Sequence, residues 1–248
     1  MSLLSSLVKS LGHGNVNRCF NHHSTRSRNS LPFDKKPTLF GDEASPPVRF
    51  VMMTASALNI EYKLHRVDLF CSEHKSEFYT KINPLQKVPA LSVGNHIITD
   101  SHAIALYMCR KSRNYALYPD SNTAKSRIDQ MLFFNSGTLF PIDSAIYSEF
   151  FTGKWPADES KLKDWYHAVD YLEYRLGEHS WLAGDKVSLC DLCCGATVSS
   201  LQLLIPLLER HHKVDSWLKR LQAHSCYRVN ENGLKRLNIF VEKIKSIL

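Results

Sequence analysis

The sequence predicts a small α/β domain followed by an all-helical one, and three observations carry that expectation. Residues 37–112 alternate strand-like and helix-like patterns in the order βαβ, then ββα, as a small mixed sheet with packed helices would. From Thr123 onward helical periodicity meets no competing strand signal. Between them Arg113 to Asn122 (RNYALYPDSN) reads as a linker over 113–122, which leaves 123–248 as the helical domain.

The elements follow in order. Pro37 to Asp42 (PTLFGD) is a short apolar run closed by turn residues, a first strand. Ser45 then opens a helix, with Pro46 suited to its first position and Val48, Val51, Met52, Ala55 and Leu58 at core spacing. Ile60 to Leu69 (IEYKLHRVDL) has the partial period-2 character of a strand, and a polar helical piece covers Glu73 to Ile82. Ala90 to Val93 and His96 to Thr99 flank Gly94-Asn95 and read as a hairpin. Ser101 opens a helix with Ile104, Ala105 and Met108 inward. Beyond the linker, helices are expected over 123–151 with a break near Pro141, then 158–177, 189–206 and 213–224. His211-His212 is expected to end a helix in solvent.

Charge narrows the class of partner. The chain has 248 residues, with 31 Lys and Arg against 24 Asp and Glu, a net of +7. Residues 1–36 hold six basic side chains (Lys9, Arg18, Arg26, Arg28, Lys35, Lys36) and one acid, Asp34, so they supply +5 of it. The remaining 212 residues carry only +2, and a basic nucleic-acid face is not expected. Residues 1–33 contain no acid, four basic residues and seven serines, with Leu3, Leu4, Leu7, Val8 and Leu11 on one helical face. That pattern suits a mitochondrial transit peptide, and a disordered tail or a misassigned start remains the alternative. For the body a cytoplasmic location is expected. Leu192 to Leu208 lacks charge, but Gly195, Ser199, Ser200, Gln202 and Pro206 interrupt it, so a core helix is expected and no integral membrane segment.

Seven cysteines (19, 71, 109, 190, 193, 194, 226) show no disulfide-framework spacing and read as reduced thiols. Cys190-x-x-Cys193-Cys194 is a lone CxxC in the first turns of a core helix, so buried thiols are favoured over a metal and no metal is expected.

Two helix starts can carry chemistry. At Ser45-Pro46-Pro47-Val48-Arg49 the free N–H groups and the positive dipole end favour an anion. In thioredoxin-like folds this strand-to-helix turn carries the reactive Cys motif. Serine there excludes dithiol redox chemistry but permits a hydroxyl that hydrogen-bonds a substrate thiolate; the alternative is a plain helix cap. Asp100-Ser101 offers a carboxylate for an ammonium, and a hydroxyl with helix N–H groups for a carboxylate. Between them Val88-Pro89, if cis, would present the Val88 main chain to an extended peptide.

In combination these motifs resemble the cytosolic glutathione transferase superfamily. The residues carrying the match are Ser45-Pro46-Pro47, Asn83-Pro84, Val88-Pro89, Asp100-Ser101-His102-Ala103-Ile104, and Ser188-Leu189-Cys190-Asp191 after Trp181-Leu182-Ala183-Gly184-Asp185. The serine and its setting look like the insect delta and epsilon classes. The runs Asp42 to Arg49 and Thr99 to Ile104 look closest to an epsilon-type transferase of ecdysteroid-producing tissue. The resemblance spans about 38–240 and implies a thioredoxin-like N-terminal domain, an all-α C-terminal domain and a homodimer.

It also implies roles. Ser45 would donate to the sulfur of glutathione, the co-substrate. Val88, with Pro89, would pair with the cysteinyl amide, and Asp100 and Ser101 would bind the γ-glutamyl end. Gln86 stands where delta and epsilon members usually have His, and an amide can still donate to the glycyl carboxylate, with Lys87 adding charge. A hydrophobic electrophile, possibly a steroid, would sit between the domains. Its walls would be Pro46, Leu69 and Phe70 from the first, with Ser136, Phe140, Asp143, Ser144 and Tyr147 from the helix around Pro141. Asp143 is the informative member, because a carboxylate among aromatics is costly unless satisfied. By resemblance it hydrogen-bonds a steroid hydroxyl; otherwise it caps the helix after Pro141 or faces water. The implied function is a transferase with a role in ecdysteroid biosynthesis. The alternatives are a general detoxifying transferase and a non-catalytic glutathione transferase-like binding protein.

Overall fold

A computed structural model describes residues 36–248. The leader reading of residues 1–33 lies outside these residues. The chain falls into two compact units, one containing residues up to Asp42 and Glu61–Asp100, the other Glu43–Ile60 and Ser101–Leu248.

The first unit is built on four short strands, β1 (Thr38–Gly41), β2 (Lys63–Arg66), β3 (Ala90–Val93) and β4 (His96–Thr99). They lie in the order β2-β1-β3-β4. β1 pairs parallel with β2 and antiparallel with β3, and the β3–β4 hairpin turns through Gly94, at φ +57°. This is the mixed sheet the alternation predicts. The strand expected over Ile60 to Leu69 shortens to four residues, all exposed, because β2 is an edge. The polar helical piece divides into a 3₁₀ turn (Glu73–Lys75) and a helix (Glu77–Ile82), with Ser76 capping the latter through Tyr79 N–H at 3.2 Å. Tyr79 and Ile82 from that helix pack with Phe40, Val67 and Ala90 to form the sheet's core.

The second unit is helical. Numbered along the chain, with the Glu77–Ile82 helix as α2, its members are α1 (Pro46–Ala57), α3 (Ser101–Ser112), α4 (Asn122–Phe134), α5 (Phe140–Phe151), α6 (Glu159–Arg175), α7 (Leu189–Leu201), α8 (His212–Gln222) and α9 (Arg228–Lys245). The break expected near Pro141 is a π-helical turn over Asn135–Leu139, just ahead of the proline, which then sits where a helix N–H has no intrahelical partner. α7 is buried along its whole length and packs on α1, α4, α5, α8 and α9. It ends at Leu201, five residues short of expectation, where the chain turns before Pro206. Its start is fixed by Asp191, fully buried, which accepts from the Ser188 N–H and hydroxyl, both at 2.8 Å, the Leu182 N–H at 3.0 Å and the Trp217 Nε1 at 2.9 Å.

Two differences from the sequence reading matter. His211 is fully buried, while His212 is exposed. The His211 Nδ1 accepts from the Leu208 N–H at 3.2 Å, so its proton is on Nε2, 2.8 Å from the Asp170 carboxylate. With both nitrogens satisfied and the ring stacked on Tyr166, burial no longer carries the penalty that made solvent the natural expectation. The second difference is α9 itself, which the sequence reading did not contain.

Candidate functional site

In the first unit, the loop 83–89 is held from below. The Tyr79 hydroxyl and the Asn83 side-chain amide donate to the Lys87 carbonyl at 2.8 and 2.6 Å, and Gln86, at φ +55°, donates through Nε2 to the Thr80 hydroxyl at 3.0 Å. Val88–Pro89 is cis. Among the described residues neither main-chain group of Val88 makes a hydrogen bond, so both stay available to an extended ligand. Gln86 and Val88 are half-buried, Lys87 is exposed and Pro89 is buried. Asp100, exposed at φ +72°, ends the unit. Leu69 and Phe70 are half-buried; the Leu69 N–H donates to Asp42 at 3.1 Å and the Phe70 N–H to Asp68 at 2.9 Å.

In the second unit, Ser45 is the extended N-cap of α1 (φ −78°, ψ 125°), followed by Pro46. Its hydroxyl makes no capping bond, so the plain-cap alternative finds no support here. The Ser45 carbonyl accepts from the Arg49 N–H at 3.0 Å. Ser101 is the buried first residue of α3, its hydroxyl 3.4 Å from the His102 Nδ1. Cys190, Cys193 and Cys194 are buried thiols in α7. Cys193 Sγ is 3.3 Å from the His102 Nε2. Among the described residues no group of His, Cys, Asp and Glu is placed to hold a metal.

The expected pocket face on α5 divides. Asp143 and Tyr147 are buried together and Phe140 is half-buried. Ser136 and Ser144 are exposed, and the Ser136 hydroxyl bonds back to the Phe133 carbonyl at 3.2 Å. Asp143 is 2 % exposed and, among the described residues, its Oδ1 has no hydrogen-bond partner, so it neither caps α5 nor faces water. Burial pushes its carboxyl up to about 8, against a smaller downward pull from the Arg49 guanidinium. Burial, and secondarily the Asp143 charge, also raises Tyr147, whose hydroxyl donates to the Ser200 carbonyl.

Arg49 is the residue the sequence reading passed over. It is fully buried, and each of its five N–H groups has an acceptor. Nε donates to Asn230 Oδ1 at 2.7 Å; Nη1 to the Glu43 and Ala44 carbonyls at 3.0 and 2.6 Å; Nη2 to the Ala196 carbonyl at 3.1 Å and to the Ser200 hydroxyl. Its one sequence signal is an arginine standing inside an otherwise apolar helical face.

Residues 35–110 match the family described as Glutathione S-transferase, N-terminal domain. Glutathione S-transferase 1 of Manduca sexta is 34 % identical over 196 residues, which cover 77 % of this chain and 90 % of that protein. The chain belongs to the glutathione S-transferase family. Glutathione S-transferase D6 of Drosophila melanogaster is 32 % identical over 189 residues, 74 % of this transferase and 86 % of its relative. Among solved structures, an epsilon-class glutathione S-transferase from the housefly Musca domestica superposes with a TM-score of 0.80 at 32 % identity, over 84 % of this chain and 98 % of that one. A glutathione transferase homologue from Drosophila mojavensis, solved with bound glutathione, has a TM-score of 0.79 at 32 % identity over 85 % and 97 % of the two chains. The fold is thus the family's thioredoxin-like N-terminal domain with a helical C-terminal region, and glutathione is the family's co-substrate. Among the described residues no helix of this transferase is long and apolar enough to cross a membrane.

Proposed function

We propose that this transferase activates glutathione through the Ser45 hydroxyl. The observation that carries the reading is an N-cap serine whose hydroxyl makes no cap bond, at the positive end of a twelve-residue helix. A thiol with an ordinary pKa of about 8.5 is mostly protonated at neutral pH, and a charge-assisted hydrogen bond plus the helix dipole supply the ~1.4 kcal/mol needed per unit of lowering. Val88, Pro89, Gln86, Lys87, Asp100 and Ser101 hold the peptide in this reading, and a Val88 main chain with no hydrogen bond among the described residues supports it. Glutathione conjugation to a generic electrophile should fall about 10²-fold in Ser45→Ala, by the measure of a lost hydrogen bond to a developing anion. Unchanged turnover would exclude the serine mechanism.

The second substrate in this proposal is an apolar molecule with a hydroxyl, a steroid or sterol. The buried Asp143 Oδ1, which lacks a partner among the described residues, favours that over a purely apolar electrophile. Its wall is proposed to take Pro46, Leu69, Phe70, Ser136, Phe140, Ser144 and Tyr147, and the domain division at 37–112, 113–122 and 123–248 belongs to the same reading. The resemblance of residues 42–49 and 99–104 to Noppera-bo, an epsilon-type transferase of ecdysteroid-producing tissue, extends the proposal to ecdysteroid biosynthesis, in a cytoplasmic homodimer. Estradiol-like steroids should bind the wild type and lose affinity in Asp143→Ala. Equal affinity would leave the general detoxifying reading.

A further inference from the structure

We infer that Arg49, clamped by Asn230 of α9, is a positioning residue for Ser45; this rests on the serine reading above. Arg49 satisfies three consecutive carbonyls at the turn into α1. Its Nη1 holds those of Glu43 and Ala44, at 3.0 and 2.6 Å, and its main-chain N–H holds that of Ser45 at 3.0 Å. Peptide units fixed at 43, 44 and 45 leave the Ser45 backbone little freedom in φ and ψ, and so set the direction in which its Cβ and hydroxyl leave the chain.

The guanidinium can do this only because it is itself immobile. α7 takes Nη2 through the Ala196 carbonyl and the Ser200 hydroxyl, and α9 takes Nε through Asn230 Oδ1 at 2.7 Å. Asn230 is fully buried and oriented in turn by the hydrogen bond from its Nδ2 to the Ser199 hydroxyl at 3.0 Å. One turn along α9, a Cβ on Gly233 would overlap the Arg49 Cδ and the Glu43 carbonyl oxygen, so glycine is what lets α9 press on this turn. Three elements thus converge on one side chain whose outward face is the backbone of the serine turn. Hydrogen bonds to a charged donor are the strong and directional ones, which suits a clamp more than a filler.

The test compares Asn230→Ala, which removes the Nε acceptor, with Asn230→Asp, which restores it, alongside Ser45→Ala. Two readouts are taken on the full chain: amide exchange in the peptide 43–50, and the midpoint of the kcat/KM pH profile for glutathione conjugation. Asn230→Ala should speed exchange in 43–50 and raise the midpoint by about half a pH unit or more, as expected for a weakened hydrogen bond to the thiolate. Asn230→Asp should return both to wild type. A midpoint that stays put in Asn230→Ala but moves in Ser45→Ala would overturn the positioning role, whatever happens to the melting temperature. Should Ser45→Ala itself leave the midpoint in place, the serine reading has failed. The exchange data then decide the clamp alone, and unchanged exchange would overturn it too.

Discussion

Asp143→Asn is expected to uncouple stability from pH between about 4 and 8. The wild-type carboxyl is 2 % exposed, its Oδ1 is without a partner among the described residues, and burial raises it from 3.8 to about 8. Arg49 lies close enough to oppose this, but its five N–H groups donate elsewhere, so it offers attraction through space and no hydrogen bond. Burial therefore wins, and at pH 7 the folded protein holds a neutral acid. A carboxyl whose folded pKa is raised binds its proton more tightly when folded. Its contribution is then fully present below the unfolded value of 3.8 and is lost as pH rises towards 8. The gap of about four units corresponds to about 5–6 kcal/mol at ~1.4 kcal/mol per unit. Asparagine has nearly the shape of the neutral acid and does not titrate. Its melting temperature should be near wild type at about pH 4 and gain on it by roughly 3–5 °C per pH unit from there up to pH 8. Thermal melts of both proteins at half-unit steps measure this. A constant difference from pH 5.5 to 7.5 would mean that Asp143 is ionised throughout, and the burial argument would fall.

Three further outcomes follow from local geometry. Gly233→Ala drives a methyl into Arg49 and the Glu43 carbonyl, and should cost about 1–3 kcal/mol, seen as a lower urea midpoint. Asp191→Ala strips acceptors from the Ser188 and Leu182 N–H groups and the buried Trp217 Nε1, and should cost about 3–5 kcal/mol by the same assay. Asn83→Ala leaves the Lys87 carbonyl with one side-chain donor, from Tyr79, and should raise KM for glutathione several-fold with a smaller change in kcat, measured by initial rates.

Much of this architecture is legible along the chain because single segments encode it. The hairpin at 90–99 follows from two apolar runs around Gly94-Asn95, and the start of α7 from Ser188 and Asp191. Serine before two prolines marks the turn into α1. Other features escape because they depend on residues distant in sequence. The buried face of α9 is Asn230, Gly233, Leu237, Val241 and Ile244, a sound helical spacing whose first two members are a turn former and a helix breaker. Only packing against Arg49 explains why those two are inside. Arg49 reads alone as a solvated charge, and His211 as a polar helix end, until the Asp170 carboxylate and the Leu208 N–H meet its ring. Asp143 was recognisable as a residue of interest, but its neutral state depends on the completeness of its burial, which no spacing reveals.

The bond between Arg49 and Asn230 joins positions 181 residues apart, and this has a consequence for synthesis. At a ribosomal rate of about 5–20 residues per second, roughly 10–35 s separate the appearance of the arginine from that of its mate. α3 and α7 are complete before that interval ends and can cover α1, so what the chain lacks until residue 230 is the acceptor for the Arg49 Nε. A product cut or stalled before residue 230 therefore lacks the Asn230 anchor of the proposed clamp on the serine turn even if its sheet has formed.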